Sequence, residues 1–344
     1  MHAVSTLPYP SLPEIRATAG RLADKILHTP VWRWQTGVIA EAFGDAGEVW
    51  LKLELFQKTG TFKLRGALNC IEALGPAQRA RGVAAVSAGN HAVAVAYTAR
   101  LAGCSATVVM PRHASPARIA ACRDLGAKVV LMPDIHQAFA HGLDIERNEG
   151  RSMLHPYEGP LTALGTATIG LELMAQVPGL DAVVVPIGGG GLCAGIAAAV
   201  KQINPACAVY GVEPFGADAM FRSFRSGRTE RLEHVDTVAD SLCAPHTMPY
   251  SLGVCQRFVD EVVRVTDDEI CRAMLDLFRD AKLVAEPAAA VATAALLGPL
   301  RGRLAGRKVA LIVCGSNIDA VAFAELLGRG ARVRDGSSAA AAAS

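Results

Sequence analysis

Apolar and polar positions change period repeatedly along this 344-residue chain, and the changes divide it into alternating strands and helices. Residues 49–55 alternate with period two, which predicts a strand. After a loop at 56–60, Leu64, Ala67, Leu68 and Ile71 fall at i, i+3, i+4 and i+7, one face of a helix that stops at Gly75-Pro76. Upstream, residues 12–26 have helical spacing and end before His28-Thr29-Pro30, where proline enforces extended backbone. Downstream, 82–86, 106–110 and 127–132 read as strands, separated by helices over 91–101 and 116–125. Strands and helices alternating over short connections predict a parallel sheet covered on both faces.

A second series begins near Thr162. It reads as a helix to Gln176, a strand at 181–187, a helix from Leu192, a strand at 207–212, helices over 267–281 and 286–297, and a strand at 308–314. The fold class expected is α/β, with two open, twisted, mostly parallel sheets flanked by helices. The larger unit takes residues 1–80 and 158–330, a smaller α/β unit of 81–157 is inserted within it, and 331–344 is a disordered Ser/Ala-rich tail. A cleft between the two units is where a site belongs.

Composition narrows the class. About half the residues (51%) are apolar and 19% are charged, and Lys plus Arg (34) nearly balance Asp plus Glu (32) without forming blocks. Neither nucleic acid nor an anionic membrane is therefore expected as a partner, and small-molecule chemistry is. The nine cysteines stand singly with no Cys-x-x-Cys pair, so reduced thiols and a cytoplasmic location are expected. Residues 1–11 show no secretory pattern, and the uncharged stretch 182–200 is interrupted by Pro186 and four glycines, which fits a buried strand, turn and helix better than a membrane span.

Three segments carry candidate chemistry. Lys63 opens the helix after the first predicted strand of that series, in the run Lys58-Thr59-Gly60-Thr61-Phe62-Lys63-Leu64-Arg65-Gly66-Ala67. A lysine becomes a nucleophile toward an aldehyde when burial and the positive end of a helix dipole push its proton off. On spacing alone, such a lysine is an ordinary solvated residue. Gly188, Gly189, Gly190 and Gly191 lie between an apolar strand and an apolar helix, where main-chain N–H groups can approach a phosphate. The same glycines with Ala194 satisfy G-x-G-x-x-A, and Glu213 follows where a ribose-binding acid would stand, so a dinucleotide reading is equally open by local pattern. Ser87-Ala88-Gly89-Asn90-His91 also joins a strand to a helix and can bind a carboxylate. No His-x-x-x-His pair, Walker lysine or G-x-S-x-G elbow is present, which removes weight from metalloenzymes, phosphate-loop proteins and serine hydrolases.

Taken together the segments resemble the fold-type II pyridoxal phosphate enzymes (tryptophan synthase β-like), within them the serine/threonine dehydratase and serine racemase branch. The likeness spans roughly residues 12–328 and rests on KTGTFKLRGA, SAGNHA, GGGGL, GVEP, TVADSL, AEPAAAV and CGSNID in the family's order. That order decides against the dinucleotide reading. The resemblance implies that Lys63 carries pyridoxal 5'-phosphate covalently, that Phe62 packs on its ring, and that Asn90 meets its phenolic oxygen. It further implies that Gly188, Gly189, Gly190, Gly191 and Leu192 hold the phosphate, that Glu286 and Cys314 line the ring, with Cys314 facing the pyridine nitrogen, and that Ser87, Ala88, Gly89, Asn90 and His91 bind the substrate carboxylate.

The departures from the family pattern carry expectations of their own. Ala88 stands where racemases carry a serine that acts on the face opposite the lysine, so dehydration rather than racemisation is expected. Glu213 and the Ala217 main chain align with the branch's cation ligands, but Ala219 replaces an acid, and cation dependence is doubtful. The short chain after the last strand fits a catabolic enzyme without an appended sensing domain. The expected reaction is elimination from L-threonine or L-serine to a 2-oxoacid and ammonia, in a homodimer. An eliminase, synthase or racemase acting on another hydroxy amino acid such as 3-hydroxyaspartate, a nicotinamide-dependent oxidoreductase, and a non-catalytic amino-acid-binding module are the alternatives.

Overall fold

Ten strands are found in a computed structural model that describes residues 8–43 and 47–336. They are β1 (Val31–Trp34), β2 (Glu48–Leu53), β3 (Val83–Val86), β4 (Ala106–Pro111), β5 (Lys128–Met132), β6 (Ser152–Met153), β7 (Ala182–Pro186), β8 (Ala208–Pro214), β9 (Glu261–Val265) and β10 (Lys308–Val313). Six form one sheet in the order β1-β2-β10-β7-β8-β9, parallel except for antiparallel β1. The other four, consecutive in sequence, form a parallel sheet in the order β5-β4-β3-β6.

The central strands read as unbroken apolar runs because both faces are covered. All five residues of β7 are buried, as are Val309, Ala310, Leu311, Ile312 and Val313 of β10. Helix Pro287–Leu297 (PAAAVATAALL) is buried around its whole circumference, as its lack of an amphipathic pattern requires. Among the described residues no helix is long and apolar enough to cross a membrane.

Helix Pro160–Gln176 sits between helix Lys63–Glu72 and helix Gly191–Ile203, and so sets the distance between the lysine and the glycine loop. Gly165 makes this possible, since a Cβ there would strike the main chain of Arg65 and Gly66. On the other side, Thr166 Oγ1 donates to Gly191 O at 2.8 Å.

Three of the departures from the expected boundaries have a visible cause or consequence. The first helix spans Leu12–Leu22 rather than 12–26, because the Lys25 and Ile26 amides both turn back onto Leu22 O. The strand expected at 49–55 ends at Leu53, and Glu54 enters a 3₁₀ turn with its carboxylate on Arg65. The last helix, Ala320–Arg334, takes in residues 331–334, which the sequence reading gave to the tail. Residues 337–344 lie outside the described residues.

Candidate active site

The carboxyl ends of β2, β10 and β7, neighbours in the large sheet, deliver the first three parts of the site. After β2 and its 3₁₀ turn comes Lys63, the first residue of helix Lys63–Glu72. After β10 comes Cys314, and after β7 the four glycines. The loop after Lys58 and the loop after β10 are stitched together: Phe62 N donates to Cys314 O, Ser316 N donates to Gly60 O, and Asn317 Nδ2 donates to Thr59 O. The end of β3 adds Ser87, Ala88 and Gly89, followed by helix Asn90–Leu101.

Lys63 is half-buried, with Nζ donating to Pro156 O at 2.6 Å and lying 5.1 Å from the centroid of the Phe62 ring. Desolvation brings the amine's pKa down to about 8, against the opposing pull of Cys314 and Glu286. At pH 7 roughly a tenth of the amine is then free base, against about one part in three thousand for an exposed lysine. Beneath it, Arg65 is fully buried and forks onto both Glu54 oxygens (2.8 Å each) and both Glu172 oxygens (2.6 and 2.9 Å). Lys52 joins the cluster through Glu172 at 2.7 Å and Gln176 at 2.9 Å. Burial opposes the charge on Arg65, but Glu54 and Glu172 outweigh it and raise its pKa. This cluster ties the first turn of the lysine helix to β2 and to helix Pro160–Gln176.

The glycine loop is walled by Tyr157. A Cβ on Gly189 would run into the Tyr157 ring, and Gly190 adopts φ +98°, a left-handed conformation suited to glycine. Helix Gly191–Ile203 then points its amino end at this loop. Pro156 touches the lysine and Tyr157 touches the glycines, so one turn bridges the two.

On the opposite wall, Asn90 Nδ2 donates to Glu286 (2.8 and 3.1 Å) and to Ser241 Oγ (3.3 Å), while its Oδ1 accepts from Asn317 Nδ2 (2.8 Å). Burial pushes the Glu286 carboxyl up to about 7, partly offset by the Asn90 hydrogen bond. Desolvation likewise raises the Cys314 thiol far above its ordinary range, so it stays neutral. Burial and the Lys63 charge lower His91 to about 3, and its Nε2 lies 2.8 Å from Leu154 O. Arg118, from helix Pro116–Asp124, crosses to the large-sheet side, donating to Asp240 Oδ2 (2.7 Å) and Asn317 O (2.8 Å). A cavity of about 560 Å³ opens there, lined by Val93, Ser115, Arg118, Asp240, Glu286 and Asn317 among others.

Lys63, Phe62, Asn90, Glu286 and Cys314 are therefore gathered in one chamber, with the glycines joined to it through Tyr157. Glu213 is elsewhere: it is fully buried, and its oxygens accept from the Met220 and Phe221 amides (2.9 and 2.7 Å) at the start of helix Ala219–Ser226. An acid held this way does not face a ribose, which removes the structural basis of the dinucleotide reading. Among the described residues no group of three or more His, Cys, Asp or Glu is placed to hold a metal ion. Sequence reasoning singled out none of His155, Arg118, Asp240 and Asn317. Asp240 and Asn317 had a signal, their places in TVADSL and CGSNID, whereas His155 and Arg118 act through contacts that no local pattern encodes.

The groups present fit a phosphate-bearing aldehyde: a desolvated amine of lowered pKa, a glycine-walled helix amino end, a neutral thiol, and a buried Thr61 hydroxyl with no partner among the described residues. Comparison with known proteins agrees. The profile of a family described as "Pyridoxal-phosphate dependent enzyme" matches residues 22–315. The chain is 51% identical to a phenylserine dehydratase of Ralstonia pickettii over 323 residues, covering 93% of this chain and 98% of that one. It is 41% identical to an L-threonine ammonia-lyase of Thermotoga maritima, covering 91% and 77%. The structure of maize serine racemase superposes with a TM-score of 0.87 at 32% identity, covering 95% and 100%.

Proposed function

This chain belongs to the pyridoxal-phosphate dependent enzyme family, and on that premise we propose that it is a dehydratase of β-hydroxy α-amino acids, with L-threonine and L-serine as substrates, producing a 2-oxoacid and ammonia. The observation that carries the reading is Lys63: a desolvated amine, lowered to about 8, at a helix start between a glycine loop and a neutral thiol. The dehydratase and ammonia-lyase relatives support the same reaction. A β-aryl substrate is a second reading, favoured by the phenylserine dehydratase relative.

In this reading Lys63 holds the cofactor, the four glycines and Leu192 receive its phosphate, and Phe62, Asn90, Glu286 and Cys314 surround its ring. Bound there, pyridoxal phosphate supplies an electrophilic carbon for the substrate amine and a ring that delocalises the electron pair left at Cα. The protein does the rest. The main-chain N–H groups of residues 87–91 and the amino end of helix Asn90–Leu101 bind the substrate carboxylate. Lys63, freed as an amine, takes the Cα proton, a step its lowered pKa favours. Cys314 stays a neutral, weak donor and so does not protonate the ring nitrogen. Glu286 and Asn317 fix the Asn90 amide plane. Ala88 offers no proton on the face opposite Lys63, so reprotonation from that side is disfavoured. The residues 81–157 form, in this account, the smaller unit that closes on the larger one, and the assembly is a homodimer working in the cytoplasm.

Lys63→Ala tests this. The variant is expected to lose 2-oxoacid formation from L-threonine together with the visible absorption of the holoenzyme, and retained turnover would refute the assignment.

A further inference from the structure

The turn from His155 to Glu158 bridges the lysine and the glycine loop, and its polar groups are almost all committed to the protein. Pro156 O accepts from Lys63 Nζ, Tyr157 O accepts from Ser251 Oγ, and the Tyr157 hydroxyl donates to His246 O. The Glu158 carboxylate accepts from the Tyr250 and Ser251 amides. His155 Nδ1 accepts from two main-chain N–H groups, those of Tyr157 (3.3 Å) and Glu158 (3.0 Å).

A ring nitrogen that accepts hydrogen bonds carries no proton, so in the neutral imidazole the proton sits on Nε2. The ring plane is fixed as well, edge-to-face with Tyr157 at 4.6 Å and 89°. Burial, then the charges on Lys63 and His246, lower its pKa to about 4, which keeps it neutral where the enzyme works. His91 is the instructive contrast, since its Nε2 is spent on Leu154 O. His155 Nε2 has no hydrogen-bond partner among the described residues, and its two chain neighbours hold it beside the lysine, Leu154 O lying 2.8 Å from His91 Nε2 and Pro156 O 2.6 Å from Lys63 Nζ.

We propose that the His155 Nε2–H group is the hydrogen-bond donor that holds the departing β-oxygen of the substrate, an assignment that rests on the dehydratase reading above. The Cβ–O bond breaks with its electron pair on oxygen, and the proton that Lys63 took from Cα returns to that oxygen, so one water leaves. His155 keeps its own proton throughout. It aligns the oxygen and stabilises the negative charge growing on it, as a preorganised donor does in a water-poor site.

The test compares holoenzymes on two leaving groups, since chloride departs without needing a donor and hydroxide does not. His155→Phe is expected to lower kcat on L-threonine or L-serine by about 10²-fold, the usual cost of one such donor. Its kcat on β-chloro-L-alanine is expected to change by less than about threefold, with the visible cofactor spectrum unchanged. His155→Gln, whose amide nitrogen reaches the Nε2 position, is expected to recover about tenfold of the loss. An equal loss on both substrates, or no loss on either, overturns the assignment while leaving the dehydratase reading intact. A wild-type enzyme that eliminates chloride but never hydroxide overturns the dehydratase reading itself, and this assignment with it.

Discussion

Two polar clusters flank Lys63, and they are built on opposite terms. Below it, the buried Arg65, Glu54 and Lys52 pair with one another and with the half-buried Glu172, every charge answered by a partner. In front of it, burial pushes Glu286, Cys314 and the half-buried His155 toward their neutral forms beside the Asn90 amide, and one donor is left over. The first cluster spends its charges on holding helix Lys63–Glu72 in place. The second weakens the charge on its groups so that charge arriving with a substrate meets fixed dipoles more than counter-ions. Fully answered charge marks scaffold here, and withheld charge marks chemistry.

Breaking the lower cluster gives the largest effect on stability. Arg65→Met takes the guanidinium from the buried Glu54 and leaves Glu172 with Lys52 alone, and the expected cost is about 3–5 kcal/mol. Thermal unfolding reads it as a large fall in Tm. A small fall would mean that the carboxylates find other partners and that the cluster is not the scaffold claimed.

Glu286→Ala strikes the front cluster and should behave the other way. Leaving the Asn90 amide nitrogen with Ser241 Oγ alone, at 3.3 Å, costs about 1–3 kcal/mol of stability at most. Activity is expected to fall further than stability does, with kcat/KM down about tenfold or more as the amide plane loosens. A variant that loses Tm but retains kcat/KM would move Glu286 from the chemistry to the scaffold.

The pH response sharpens the comparison. Because burial lowers the Lys63 pKa to about 8, the free amine grows as pH rises through 8 and is nearly complete by about pH 9. The rate at which apoenzyme acquires borohydride-trappable cofactor should follow that curve. A rate still climbing toward pH 10.5 would place the lysine in water. The smallest effect is expected from Arg118→Ala. Its partner Asp240 is 57% exposed, so the ion pair is worth at most about 1 kcal/mol, and Tm should scarcely move. A several-fold rise in KM is nevertheless expected, because Arg118 joins the two sides of the cavity.

Much of this was legible in the sequence for a physical reason: apolar periodicity records burial, and burial decides which segments become β2, β3, β7, β8 and β10. The glycines were legible because close approach excludes every other side chain. The two-residue β6 was not, being too short to show a period, nor was the edge strand β1, of which only Trp34 is buried. The lower cluster was half visible: Arg65 lies in a recognisable motif, yet its pairing with Glu172 spans 107 residues of chain and no local pattern predicts it. The same holds for Arg118 with Asp240, 122 residues apart, and for His155, whose tautomer depends on two main-chain amides.

The central claim is that the amine at position 63 carries the cofactor. Reducing the active holoenzyme with borohydride and mapping its peptides by mass spectrometry tests it most directly. The account predicts one stoichiometric phosphopyridoxyl adduct on Lys63 and concurrent loss of activity. An unmodified Lys63 in cofactor-saturated, active protein, or the adduct on another lysine, would contradict it.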